Sequence, residues 1–173
     1  MVETGILSSD ERVELVRGVV CGMSPKNRAH VLATHHAYQM FRDALRGRAS
    51  VYMEAPLRLA ALDSEPEPDV QICSNTDFDA YGTDNAKPVV VIEVADSSLG
   101  HDLENKASLY AEAGIPEYWI VNLVDYELIV FTDPANGSYQ QRATLDQRAR
   151  VSARPWPDAS FEVASLFPDE RAE

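Results

Sequence analysis

Three side chains in the middle of the chain have the types and spacing to do chemistry: Asp69, Glu93 and Lys106. Glu93 stands between Val89-Val90-Val91-Ile92 and Val94-Ala95. An ionised carboxylate inside such a run is costly unless a metal or a cation compensates it. Asp69 follows Pro68 and opens a short apolar stretch. Two carboxylates at the ends of neighbouring strands can hold a hard divalent cation such as Mg²⁺, which takes oxygen ligands and keeps several waters. Lys106 follows on the next helical segment, with Asp102 one turn earlier as an i, i+4 partner. This set suits phosphodiester hydrolysis. The metal polarises a phosphoryl oxygen and lowers the pKa of a bound water. The lysine positions or deprotonates that water and stabilises the developing negative charge. Each residue also has a plainer alternative: Glu93 at a solvated strand end, Asp69 in a Pro-Asp turn, Lys106 reaching solvent from the helix border.

The elements that must position these groups follow from hydrophobic pattern. Pro88–Ala95 is the most β-branched stretch and predicts a central strand buried on both faces. Residues 102–113 predict a helix with a buried stripe of Leu103, Ala107, Tyr110 and Ala111, ended by Gly114 and Pro116. At 100° per residue, Lys106 falls at the border of that stripe. Upstream, Val13–Val16 and Val19–Met23 flank Arg17-Gly18 as a tight hairpin with glycine at a positive φ. After Ser24-Pro25-Lys26-Asn27, the apolar positions Ala33, Ala37, Met40, Phe41, Ala44 and Leu45 recur at helical spacing. Val51–Ala60 alternates as a strand, Leu62–Pro68 reads as an acidic, proline-rich turn, and Asp69–Cys73 reads as a short strand. Thr76–Lys87 is a polar loop, and further strands are expected at Tyr118–Leu123, Tyr126–Thr132 and Tyr139–Leu145. Phe161, Leu166 and Phe167 form a terminal apolar anchor. Strands mixed with two long helices indicate α/β or α+β with a mixed sheet.

Composition sets the outer bounds. With 173 residues, the chain is expected to form one domain over 1–173. Its net charge of −13 argues against a basic nucleic-acid footprint. The charge is uneven: residues 1–58 carry +2, residues 59–141 carry −14, and Lys87 and Lys106 are the only cations of that middle segment. Phosphate contacts would fall to Arg12, Arg17, Lys26, Arg28, Arg42, Arg46, Arg48 and Arg58. Cys21 and Cys73 lack metal-type spacing and read as reduced residues in or near the core. No signal peptide or membrane span is visible, so a soluble, cytoplasmic protein is expected. His30, His35 and His36 lack metal spacing on their helix, and packing or surface roles are expected for all three. Ser97-Ser98 has no base in a nucleophile arrangement, and no phosphate-binding glycine loop occurs.

The block VIEVADSSLGHDLENKASLYAEAGIPEYWIVNL, Val91–Leu123, resembles the signature of the Uma-two family of restriction endonucleases, within the PD-(D/E)xK nuclease superfamily. The resemblance extends to Val13–Pro25, His30, Ala55–Leu59, Glu65–Asp69 and Ser165–Phe167. It implies a restriction-endonuclease-like fold, a mixed central sheet flanked by helices. Asp69 and Glu93 would be the metal-binding acids of the motif, with Mg²⁺ as cofactor and Mn²⁺ as a substitute. The superfamily lysine stands two residues after the glutamate, where this chain has Ala95, and Lys106 matches a lysine moved to the following helix. Glu14 matches an acidic residue that faces the same site. The implied activity is a metal-dependent endonuclease, with DNA the leading substrate, weakly or selectively bound by a homodimer. The alternatives are a catalytically silent module of the same fold that binds nucleic acid or protein, and a metal-dependent phosphohydrolase acting on a small substrate.

Overall fold

A computed structural model of the chain describes residues 12–83 and 87–168. Residues 84–86 of the expected polar loop, and residues 1–11 of the N-terminus scanned for a leader, lie outside the described residues. Strands β1 (Val13–Val16) and β2 (Val19–Gly22) form the expected antiparallel hairpin. Arg17 at φ 50° and Gly18 at φ 76° are both left-handed, as a two-residue turn of the primed kind requires.

Helix α1 (Arg28–Ala44) begins at Asn27, whose side chain accepts a hydrogen bond from the His30 N–H at 2.9 Å. That satisfies one of the orphan donors of the first turn. The chain then enters a six-stranded sheet of β3 (Ser50–Met53), β4 (Val70–Cys73), β5 (Pro88–Ala95), β6 (Glu117–Asn122), β7 (Glu127–Ala135) and β8 (Ser138–Leu145), ordered in space as in sequence. β5 and β6 run parallel and all other neighbours antiparallel, so the sheet is mixed. A parallel pair needs a crossover. Helix α2 supplies it, running as Leu99–His101, a π-helical turn Asp102–Lys106, and Ala107–Glu112.

Two layers of core cover the sheet. Val90, Ile92 and Val94 of β5 pack with Trp119 and Val121 against Ala33, Ala37, Phe41 and Leu45, and the terminal anchor of Leu166 and Phe167 closes this layer. Val91 and Ala95 face the other way, against Ala107, Tyr110, Tyr118 and Ile120. Each such side chain contributes about 1.5–3 kcal/mol when fully buried. The alternation puts Glu93 on the α2 side of a strand that is buried on both faces.

Two expectations are corrected. The strand expected over Val51–Ala60 stops at Met53, because Glu54 takes the left-handed φ of 50° and Pro56 lacks a donor. The following residues pair loosely instead: Leu57 N–H donates to the Pro66 carbonyl at 2.8 Å and Leu59 N–H to that of Ser64 at 2.9 Å. The second helix starts earlier than residue 102 and is not a uniform α-helix. Its Ala107 N–H donates to the Asp102 carbonyl, five residues back, which tightens the angle between successive side chains. No helix among the described residues is long and apolar enough to cross a membrane.

Candidate active site

The antiparallel register of β4 and β5 pairs Val70 with Ile92. Continued by one residue, it sets Asp69 beside Glu93 at the mouth of the sheet. Asp69 is fixed there by the backbone of β5: its Oδ2 accepts from the Val94 N–H at 2.8 Å. Its Oδ1 lies 2.8 Å from Lys26 Nζ, and His30 Nε2 is 3.3 Å from Oδ2. Burial alone would raise the Asp69 pKa, but His30 and Lys26 outweigh it and hold the carboxyl below its ordinary value.

Glu93 is 4% exposed. Its Oε1 accepts from Lys106 Nζ at 2.9 Å and from the Tyr110 hydroxyl at 2.8 Å. Burial pushes the Glu93 carboxyl up to about 8; the Lys106 charge pulls it back only in part, and Asp69 and Asp102 add to the rise. Lys106 does not sit at the helix border or reach solvent. The π turn carries it inward to 6% exposure, on the same helix face as Tyr110. Burial disfavours its charge, but Glu93, Glu14 and Asp102 more than compensate and raise its pKa above the ordinary lysine value. It is a fixed cation.

Glu14 arrives from β1. Its Oε2 lies 3.1 Å from Lys106 Nζ, yet off the angle of a hydrogen bond, so this buried oxygen has no hydrogen-bond partner. Glu14, Asp69, Glu93 and Lys106 all line one open cleft of about 350 Å³. The expected i, i+4 pairing of Asp102 with Lys106 is replaced: Asp102 Oδ2 accepts from the Ser98 hydroxyl at 2.7 Å. His30 also departs from expectation, since it contacts Asp69 instead of serving packing alone. Ala95 is buried in the α2-side core, and the ammonium beside Glu93 comes from the helix above.

Sequence reasoning gave Lys26 only as a phosphate contact, favoured packing or surface roles for His30 and read Tyr110 as core. It did not bring the three together in this site. One signal was present: Asn27 is a good N-cap residue, so residues 26 and 30 belong to one helix end. Among the described residues, no group of three or more His, Cys, Asp or Glu side chains is gathered closely enough to hold a metal ion by itself.

The family model Uma2, described as "Putative restriction endonuclease", matches residues 3–164. The chain belongs to the Uma2 family. A solved structure described as "a putative nuclease belonging to DUF820", from Anabaena variabilis, is similar in fold, with a TM-score of 0.75. The two are 13% identical, and the superposition covers 95% of this chain and 94% of that one. No curated protein matches the chain by sequence. The Uma2 chain thus has a PD-(D/E)xK-like fold.

Proposed function

We propose that this Uma2-family chain is a metal-dependent endonuclease that hydrolyses phosphodiester bonds in nucleic acid, with DNA as the principal substrate. The observation that carries this reading is the convergence of Glu14, Asp69, Glu93 and Lys106 from β1, the start of β4, β5 and α2 on one cleft. The donor set is all oxygen, and the Glu14 oxygen without a hydrogen-bond partner faces the same group. Such a set fits Mg²⁺, which binds through one or two carboxylates and keeps its waters. Asp69 and Glu93 would hold the ion, with Mn²⁺ able to replace it. When bound, the ion polarises a phosphoryl oxygen and lowers the pKa of a water.

The chain's own groups divide the remaining work. The Val94 N–H and the Tyr110 hydroxyl fix the two carboxylates in one geometry. Lys106, flanked by Glu93 and Glu14, stays charged and stabilises negative charge developing on the phosphoryl group. It is an electrostatic stabiliser; a lysine so held is a poor base. A homodimer would present two clefts to the two strands of a duplex.

The test is cleavage of single- and double-stranded DNA and RNA with Mg²⁺ and with Mn²⁺, at low and moderate salt. Glu93→Gln and Lys106→Met are each expected to lower the rate about 100-fold or more. Metal-dependent cleavage that survives either substitution unchanged would overturn the assignment.

A further inference from the structure

We propose that Lys26 is a positioning residue that occupies Asp69 in the metal-free protein and yields it to a divalent cation by pivoting onto Glu54. The inference rests on the metal reading of Asp69 given above. Lys26 Nζ lies 2.8 Å from Asp69 Oδ1 and 2.8 Å from Glu54 Oε1. Its side chain is 11% exposed, so the ammonium is set into the cleft wall instead of lying on the surface.

The backbone that carries Lys26 is fixed. The next residue, Asn27, caps α1 through the His30 N–H and donates from its side chain to Asp96 Oδ2 at 2.6 Å. Motion is therefore left to the lysine stem. Glu54 is built to receive it. Its left-handed φ of 50° is uncommon for a residue with a Cβ, and its N–H donates to the Asp69 carbonyl at 3.1 Å. The kink that ends β3 thus ties Glu54 to the backbone of Asp69 and aims its carboxylate at Lys26. Glu54 is 39% exposed against 5% for Asp69, so the second partner lies on the solvent side of the first.

A divalent ion on Asp69 and an ammonium on the same carboxylate repel each other strongly in a partly buried site. Lys26 accordingly competes with the ion. Because Glu54 keeps hold of the ammonium, the lysine gives up one of its two partners and retains the other. The metal-free cleft avoids an uncompensated buried carboxylate, at the cost of weaker metal binding.

Binding of Mn²⁺, followed through the EPR signal of the free ion, tests this without an activity assay. Wild type, K26Q, K26R, E54Q and K26Q/E54Q are compared, each shown to be folded by circular dichroism. K26Q is expected to bind Mn²⁺ about tenfold more tightly than wild type. K26R, which restores the charge, should return the affinity to the wild-type level or below. E54Q should weaken binding in the wild-type background and have no effect beside K26Q. Affinity in K26Q equal to or below that of wild type overturns the competition, and an equal loss from E54Q in both backgrounds overturns the pivot. If Mn²⁺ binding to wild type is absent or insensitive to D69N, the metal reading itself fails, and this inference fails with it.

Discussion

Lys106→Met isolates the electrostatics of the cleft from its chemistry. Nζ stands 2.9 Å from Glu93 Oε1 and 3.1 Å from Glu14 Oε2, and all three side chains are 7% exposed or less. Methionine keeps most of the volume and fills irregular space readily, so the change is mainly one of charge. Removing one partner of a buried pair leaves an uncompensated ion and costs about 3–5 kcal/mol. Glu93 has an escape, however. Burial already pushes its carboxyl up to about 8, from an ordinary 4.5, and without Lys106 it rises further. A carboxyl whose pKa is raised by folding keeps its proton in the native state, so its contribution to stability falls as pH rises above 4.5 and levels off only past the folded value. In the variant that fall continues to higher pH. The cost should therefore be about 1–2 kcal/mol at pH 6, where Glu93 is neutral, and about 3–5 kcal/mol at pH 9. The double variant K106M/E93Q removes the Glu93 charge, leaves Glu14 as it is in K106M, and keeps an acceptor for Tyr110. It should exceed K106M in stability by about 2 kcal/mol at pH 9 and match it at pH 6. Urea unfolding in EDTA, at matched ionic strength, measures both differences. A K106M cost that is the same at the two pH values, or a double variant no more stable at pH 9, would refute the reasoning.

Two further outcomes follow from single contacts. Tyr110→Phe deletes a buried 2.8 Å hydrogen bond to Glu93 and should cost about 1–2 kcal/mol in thermal or urea unfolding; a loss below a few tenths would show that the hydroxyl does not hold the carboxylate. Glu117 accepts from the Arg154 N–H at 2.6 Å and the Trp119 indole at 3.0 Å, yet burial raises its pKa against both bonds. Glu117→Gln loses an acceptor and should cost about 1 kcal/mol near pH 4.5, with the deficit narrowing towards pH 7 because only the wild type must ionise a buried group. A deficit that widens over that range contradicts the assignment.

What the sequence showed and what it hid divide along physical lines. β5 was legible because Pro88–Ala95 packs both faces with β-branched residues, and that same run made Glu93 conspicuous. The hairpin was legible because Gly18 marks the turn, although nothing in Arg17 announces its own positive φ. Glu54 was hidden for the same reason: a glutamate carries no signal for a left-handed backbone, so the strand was read through it. Lys106 was placed on the right element, but only at the border of its buried stripe. A constant 100° per residue assumes i→i−4 bonding, and the π turn at Asp102–Lys106 violates that assumption just where the lysine must swing inward. Lys26 and His30 were out of reach because their role depends on where the end of α1 lands on the sheet, which is a tertiary fact.

The charge distribution acquires a different meaning once the ion pairs are known. Of the eight cations in the first third of the chain, Arg12, Arg17, Arg42, Arg46 and Arg48 lie within 2.7–3.6 Å of a carboxylate at the surface. Exposed pairs of this kind are worth about 0–1 kcal/mol, so a phosphate can take such an arginine at little cost. Lys26 and Lys106 differ, being set into the cleft beside Asp69, Glu93 and Glu14. Net charge counts both kinds alike, and it is the second kind that the acidic middle segment serves. A chain at −13 can therefore keep a charged lysine buried among carboxylates while its surface arginines stay in weak, exchangeable pairs. On the proposed nuclease reading, the same net charge predicts weak non-specific attraction to nucleic acid.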